Sequence, residues 1–339
     1  MYLAPLNYDR FFKKVFSDIE IAKMFLEDFL EEEIEDIEVL GSKHKITDDA
    51  RIVEFDYRCK IKGNYIIIDM QQWFKPDISQ RFYIYHSLNS ALQLEKLGTK
   101  VLRIEQDLDN RNKKIKEIKD YRLIEPVLTL IWMVDDNLGY NENYISFSLI
   151  PHHVEKFIKD VKLWKKENMK KLMLERDKII EMLKNNKREV DFLGKNKLIF
   201  MLQKNIVKSE KLKKYVDWFD FAEKTKNKNN TEEDFKEYKK DKRFKEAIRR
   251  LDRSNLTSDD IKYINTEDEL WYKIKKYETD IAEVYKKEGH EEGIKEGIKE
   301  GEKKRSIEVG KNLLNNGVNI QIISQATGLS IEEIEKLKE

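Results

Sequence analysis

Residues 51–74, RIVEFDYRCKIKGNYIIIDMQQWF, are the stretch of sequence that decides the fold. Polar and apolar side chains alternate through Ile52–Ile61, and apolar residues dominate Tyr65–Phe74, so both segments are predicted to be β-strands. Successive side chains of a strand point to opposite faces of its sheet. Two polar residues of the second strand, Asp69 and Gln71, are therefore expected on the same face.

The short connection between the two strands decides which residues face each other. If Gly63-Asn64 is a two-residue hairpin loop, Asp56 lies opposite Gln71, and Asp69 is its diagonal neighbour at roughly 7–8 Å between backbones. A four-residue loop gives the same register, whereas a three-residue loop turns Asp56 to the other face. The hairpin thus predicts that two carboxylates and an amide converge.

Two carboxylates on one face of a sheet are a candidate metal site. Asp56 and Asp69 offer the oxygen ligands that Mg²⁺ prefers, and a bound ion polarises a phosphodiester and activates a water molecule for attack. The alternative is that both carboxylates form ion pairs on an exposed face with Arg58, Lys60 or Arg81. The strand pattern alone leaves both interpretations open.

The segments around this hairpin predict a mixed α/β domain. Predicted helices are Asp9–Leu30 and Ser79–Leu97, and further predicted strands are Ile37–Leu40, Leu123–Val134 and Tyr144–Ile150. All four prolines lie at or before Pro151. Because prolines and glycines break helices and are scarce for a long stretch beyond this point, the sequence there is expected to be helical.

The region after Pro151 is predicted to consist of long, charged helices. These are Val154–Lys184, Lys197–Lys224, Glu232–Asp252, Thr257–Tyr263 and Glu267–Lys287. A glycine at every fourth position from Gly289 to Gly301 predicts a soft helix or linker, and Ser330 with Glu333 predicts a capped helix in a final helical hairpin. The predicted domains are residues 1–153, 154–287 and 288–339.

Composition limits the class of protein. Charged residues make up 39% of the chain, but 16 Phe, 15 Tyr and 5 Trp exclude a disordered polyelectrolyte. The net charge of +1 does not by itself indicate a nucleic-acid partner. The Lys-rich residues 156–253 suit either a phosphate backbone or solvated helix faces. A single cysteine, no signal peptide and no long apolar run predict a cytoplasmic protein without a membrane partner.

Several short motifs follow one another along the chain. They are D-x-x-F-K-x-x-F at residues 9–16, the strand acid Asp56, the acidic-x-Gln strand with Asp69 and Gln71, R-x-x-x-Y at residues 81–85, VLTLIWMV at residues 127–134, the repeated EG pairs, and TGLSxEEIxxL at residues 327–337. This ordered set resembles the Rpn family of recombination-promoting nucleases, a transposase-related branch of the PD-(D/E)XK nuclease superfamily. The resemblance spans nearly the whole chain and is most specific over residues 1–150.

The resemblance implies a fold, a reaction and a set of site residues. The implied fold is an α/β, PD-(D/E)XK restriction-endonuclease-like core, a mixed sheet flanked by helices, followed by an α-helical C-terminal region. The implied activity is Mg²⁺- or Mn²⁺-dependent endonuclease cleavage of DNA with little sequence specificity, related to DNA recombination. Asp56 and Asp69 would be metal ligands, although the branch more often has Glu at Asp69. Gln71 would be the third catalytic residue, where the wider superfamily has Lys.

Four further residues are candidates for DNA binding or accessory roles. Arg81 and Tyr85 share a helix face and either aim at a phosphate or brace the helix on the sheet. Asp9 is either an accessory acid or the N-cap of the first helix, and Lys13 follows one turn later. Because Gln71 cannot supply a positive charge, the alternative is a catalytically weak or inactive DNA-binding or scaffold protein. The C-terminal helices allow a homo-oligomer.

Overall fold

The computed structural model describes residues 1–45, 52–73, 75–106, 113–135, 138–184, 188–210 and 213–338. The chain has two compact units, residues 1–264 and 265–339. These bounds differ from the predicted ranges 1–153, 154–287 and 288–339, because a strand and several helices beyond residue 153 belong to the first unit. Among the described residues, no helix combines the length and apolar character that crossing a membrane requires.

A six-stranded mixed sheet lies at the centre of the first unit, in the order β1-β4-β5-β8-β10-β9. The strands are β1 (Glu38–Val39), β2 (Lys43–Lys45), β3 (Ile52–Glu54), β4 (Tyr57–Ile61), β5 (Asn64–Gln71), β6 (Thr99–Gln106), β7 (Lys113–Lys119), β8 (Val127–Met133), β9 (Tyr144–Phe147) and β10 (Lys197–Leu202). Strand β8 runs parallel to β5 and β10, and the other pairs in this sheet are antiparallel. Two separate ladders join β2 to β3 and β6 to β7.

Helices surround this sheet and make up the C-terminal region. They are α1 (Asp9–Phe16), α2 (Ile19–Leu30), α3 (Ile78–Leu92), α4 (His152–Lys159), α5 (Met169–Lys184), α6 (Arg188–Lys195), α7 (Gln203–Lys208), α8 (Tyr215–Lys226), α9 (Lys236–Lys240), α10 (Lys242–Leu251), α11 (Ser258–Asn315), α12 (Ile320–Thr327) and α13 (Ile331–Glu335). The predicted α/β class, with a mixed sheet flanked by helices and a helical C-terminal region, is confirmed.

Side chains from both faces of β8 organise the core, since parallel central strands are buried on both sides. On one face, Trp132 packs against the rings of Phe12 and Phe25 from α1 and α2 and of Phe219 from α8. On the other face, the adjacent residue Ile131 belongs to a cluster with side chains of α3, β8 and β10: Ile78, Phe82, Met133, Phe200 and Leu202. The sheet is therefore packed between α1, α2 and α8 on one face and α3 on the other.

The predicted single helix Asp9–Leu30 is wrong, because the chain forms two helices there. The first ends at Phe16, and Asp18 caps the second by accepting hydrogen bonds from the backbone amides of Glu20 and Ile21, at 3.0 and 3.2 Å. An aspartate side chain that bonds to nearby amides favours a helix start over a helix interior. The bend allows both helices to keep aromatic side chains on the sheet.

Other predicted elements change structure along their length. The predicted strand Ile52–Ile61 is broken at Phe55 and Asp56, so that β3 pairs with β2 while β4 enters the main sheet. The predicted helix Lys197–Lys224 begins instead as β10, which pairs with both β8 and β9. Strand pairing with distant residues outweighs the helical tendency of the Lys-rich surroundings. The predicted helix Val154–Lys184 is likewise interrupted between α4 and α5.

The second unit contains most of α11 and the hairpin of α12 and α13. Helix α11 continues through Gly289–Gly301, so the two predicted helices before it and the predicted soft segment form one helix. Ser330 and Glu333 form the predicted capping box at the start of α13. A small apolar core, centred on Ile323, Leu329 and Ile334, joins the hairpin to the end of α11.

Candidate functional site

The β4–β5 hairpin sets the position of the candidate acids. Its loop is Lys62-Gly63, and Ile61 pairs with Asn64. The predicted loop Gly63-Asn64 is therefore wrong, and every cross-strand partner shifts by two residues. Gly63 occupies the second loop position with a φ of 77°, a backbone conformation that glycine adopts readily. Because the shift is even, the assignment of side chains to faces is unchanged.

Asp56 lies immediately before β4, beyond the end of the β4–β5 ladder. Continuing the register puts it level with Asp69 rather than with Gln71, as the predicted loop would have it. Its Oδ2 atom accepts a hydrogen bond from the backbone amide of Met70 at 2.8 Å. Only 7% of the Asp56 side chain is exposed. The carboxylate therefore replaces a ladder partner at the end of β5.

Asp69, Gln71 and Arg81 form a connected group at the end of β5. The Gln71 Nε2 atom donates to Asp69 Oδ1 at 2.7 Å, and Arg81 Nη1 donates to Gln71 Oε1 at 3.0 Å. Arg81 Nη2 also lies 3.5 Å from Asp69 Oδ1. Asp69 is 2% exposed and Arg81 is 26% exposed. The ion pair with Arg81 that the strand pattern allowed is present, but its acid is buried instead of exposed.

Lys13 reaches the same place from α1. Its Nζ atom lies 3.1 Å from Asp9 Oδ1 and 3.3 Å from both Glu54 Oε1 and Asp56 Oδ1. Asp9 is the first residue of α1 and follows the N-cap, so the N-cap interpretation of Asp9 is wrong. Glu54 has no role in the prediction from sequence, although it lies two positions before Asp56 on the alternating polar face of the predicted strand. Burial lowers the pKa of Lys13, but Asp56 and Asp9 outweigh this and raise it.

Burial acts on both candidate metal ligands, and nearby negative charge acts on Asp56 in addition. Burial raises the pKa of Asp56 well above its ordinary value, and the carboxylates of Asp69 and Asp9 raise it further. Burial also raises the pKa of Asp69 to about 6, although Arg81 and the Gln71 amide oppose the change. Negative charge on both acids is therefore unfavourable in the protein alone, and a bound cation would relieve it.

Tyr85 contacts Arg81 instead of pointing into the group of acids. The Arg81 guanidinium carbon lies 5.3 Å from the centre of the Tyr85 ring. The ring also makes edge contacts with Phe55 and Phe82, with centroids 5.4 and 5.6 Å apart. This placement favours the interpretation in which Tyr85 braces the helix and orients Arg81.

The basic residues of β4, Arg58 and Lys60, contact residues outside the group of candidate acids. Arg58 is buried, and its Nε atom donates to Asn89 Oδ1 on α3 at 2.6 Å. Lys60 Nζ lies 3.0 Å from Glu125 Oε2. The sequence allowed either residue to form an ion pair with Asp56 or Asp69. Their observed contacts instead support the sheet and its connection to α3.

The arrangement offers few ligands, all of them hard oxygen atoms. Among the described residues, no group of three or more His, Cys, Asp or Glu side chains is arranged to hold a metal ion. Mg²⁺ usually needs only one or two carboxylates, because water and substrate phosphate oxygens complete its octahedron. Asp56 and Asp69 would supply the one or two carboxylates that such an ion needs.

No family model, no curated protein and no solved structure matches the chain. The resemblance of its motifs to recombination-promoting nucleases therefore stays a prediction.

Proposed function

We propose that this chain is a Mg²⁺-dependent DNA endonuclease with its active site at the end of β5. The observation that carries the proposal is the pair of buried carboxylates, Asp56 and Asp69, which accept hydrogen bonds from Met70 and Gln71. Two like charges that are buried together are unfavourable unless protons or a cation neutralise them. In this proposal a divalent ion, either Mg²⁺ or Mn²⁺, is the neutralising group.

The polar side chains of the site have separate proposed roles. Asp56 and Asp69 would hold the ion, which when bound polarises the scissile phosphodiester and lowers the pKa of a water molecule. Gln71 keeps the Asp69 carboxylate in place through its side-chain amide. Arg81 and Lys13 are partly exposed and would contact phosphates beside the reacting one.

DNA is the proposed substrate because partly exposed cations flank the two acids. The planar guanidinium of Arg81 matches phosphate geometry, and its buried Nε atom has no hydrogen-bond partner among the described residues. Phosphate contacts carry no direct sequence information, so the proposed cleavage has little sequence preference. The motif resemblance is the reason for choosing DNA over other phosphodiesters and for proposing a link to recombination.

A catalytically weak or inactive DNA-binding protein of transposase-like origin is the second candidate. The observation that favours it is Gln71, whose amide lies between Asp69 and Arg81 in the position where the wider superfamily has a lysine. A neutral amide donates hydrogen bonds but cannot supply a positive charge to the reaction. In this alternative, Arg81 and Lys13 still bind phosphate. Asp69 stays paired with Arg81, and Asp56 stays paired with Lys13.

The assembly and the location are also proposals. A homo-oligomer would form through helices of the second unit, where α11 exposes the apolar side chains of Leu270, Tyr272 and Tyr277. Light scattering at several protein concentrations measures this association. The proposed location is the cytoplasm.

Incubation of supercoiled plasmid with the full chain tests the proposed function. Nicked or linear DNA should appear with Mg²⁺ or Mn²⁺ and not with EDTA. DNA binding without cleavage, weakened by added salt, would select the inactive DNA-binding protein. If the folded chain neither binds nor cuts DNA, a scaffold that binds other proteins is selected.

A further inference from the structure

Three carboxylates share one ammonium group in the candidate site. The Nζ atom of Lys13 lies 3.1 Å from Asp9 and 3.3 Å from each of Glu54 and Asp56. These acids belong to α1, to the end of β3 and to the turn before β4. The protein therefore places its own cation beside one of the two proposed metal ligands.

The three carboxylates differ in their access to solvent. The side chain of Asp56 is 7% exposed, whereas those of Asp9 and Glu54 are 51% and 42% exposed. One oxygen of Asp56 accepts a hydrogen bond from Met70, and Lys13 contacts the other. A divalent ion that binds Asp56 therefore competes with the Lys13 ammonium for the second oxygen.

The two outer acids offer the ammonium a second position. A lysine side chain is flexible and carries a compact charge, so Lys13 can leave Asp56 and remain paired with Asp9 and Glu54. Arg81, the other cation of the site, is held by a hydrogen bond and by two aromatic rings. Lys13, by contrast, contacts Asp56 and has two more carboxylate partners outside the proposed metal site.

We propose that Lys13 is an internal counter-ion that occupies the metal-facing oxygen of Asp56 and yields it when a divalent ion binds. After release, the ammonium pairs with Asp9 and Glu54 and contacts a DNA phosphate. The inference rests on the proposed function, since it takes Asp56 as a metal ligand. In this role Lys13 weakens the binding of free metal ion and couples metal binding to DNA binding.

Binding of Mn²⁺ to the full chain, measured without DNA by electron paramagnetic resonance, tests this role. Lys13→Gln removes the charge, and the Mn²⁺ affinity should rise about tenfold, as expected for removal of one competing charge near a partly exposed site. Lys13→Arg keeps the charge and should stay close to the unmodified chain. Lys14→Gln is the matched control, because Lys14 lies in the same helix but pairs with Asp260 at 3.2 Å.

Two further measurements separate the possible failures. Circular dichroism checks that Lys13→Gln folds, with Lys13→Met as a second neutral variant, and Asp56→Asn in the Lys13→Gln chain should remove the added affinity. If the unmodified chain binds Mn²⁺ and cuts plasmid but the neutral Lys13 variants bind Mn²⁺ no more tightly, only the counter-ion role is overturned. If no variant binds Mn²⁺ and the unmodified chain does not cut, the proposed function is overturned with it.

Discussion

The side-chain amide of Gln71 holds the carboxylate of Asp69, with 2.7 Å between Nε2 and Oδ1. The two residues are two positions apart on β5, so their side chains leave the strand on the same face. The Gln71 oxygen accepts a hydrogen bond from Arg81 at the same time. The glutamine thus uses both ends of its amide, which a lysine at this position could not do because it has no acceptor.

We predict that Gln71→Lys lowers plasmid cleavage and raises the Mg²⁺ concentration needed for half-maximal rate. The new ammonium would pair with Asp69, compete with the metal ion and repel Arg81, which loses its acceptor. Gln72→Lys adds the same charge one residue further along and is the matched control. Faster cleavage at an unchanged Mg²⁺ requirement would show that Gln71 is a defective lysine, and would favour the weak-activity alternative.

Arg81→Lys should reduce both DNA affinity and cleavage, by roughly tenfold in the rate at limiting DNA, which is the loss expected for one charge-assisted contact. A lysine keeps the positive charge, but it cannot donate to Gln71 and Asp69 in the same fixed geometry. Filter binding with Ca²⁺ and plasmid cleavage with Mg²⁺ measure the two effects. Arg176→Lys, at an exposed helical position, controls for the substitution itself. Equal effects of the two variants would contradict the proposed role of Arg81 in DNA binding and cleavage.

Asp69→Asn should change how stability depends on pH. The folded-state pKa of Asp69 is raised to about 6, so its stabilising contribution is present below pH 4 and is lost as pH rises through about 6. The variant has no carboxyl group to ionise at this position. Its free energy of unfolding, relative to that of the unmodified chain, should therefore rise by about 2–3 kcal/mol from about pH 4 to pH 7. Urea unfolding in EDTA measures the difference, and a difference that does not vary with pH contradicts the assignment.

Removal of residues 289–339 should leave plasmid cleavage largely unchanged. Every proposed site residue lies in the first compact unit, residues 1–264, and the removed segment has no aromatic residue. Specific activity of the shortened and full chains, measured on the same plasmid, checks this. A shortened chain that folds but no longer cuts would mean that the tail, or an oligomer that depends on it, completes the active site.

The sequence predicts the composition of the candidate site better than its geometry. Period-two alternation is enough to put Asp69 and Gln71 on one face, because that depends only on strand formation. The cross-strand neighbour of Asp56 depends on the hairpin loop. Because the loop is Lys62-Gly63, Asp56 lies level with Asp69 instead of the predicted Gln71. A loop choice of this kind involves small differences in backbone energy that residue types alone do not resolve.

Contacts between distant segments were the least predictable from sequence. Lys13 and Glu54 are 41 positions apart, and no local pattern indicates that they meet. In the same way, β10 joins the central sheet through pairing with β8, although its neighbours in sequence favour helices. Tertiary structure decides both cases. For β10, pairing with β8 overrides the propensity of a short segment.

The central claim is that Asp56 and Asp69 form the metal site of a DNA endonuclease. Its most direct test is a time course of supercoiled plasmid cleavage in Mg²⁺ with the unmodified chain, Asp56→Asn and Asp69→Asn. Asp220→Asn serves as a control at another buried carboxylate, which contacts Tyr238 and Lys224. We predict that the first two variants fold but cut no faster than the unmodified chain in EDTA, while the control cuts normally. Folded Asp56→Asn or Asp69→Asn protein that cuts at the unmodified rate would contradict the account.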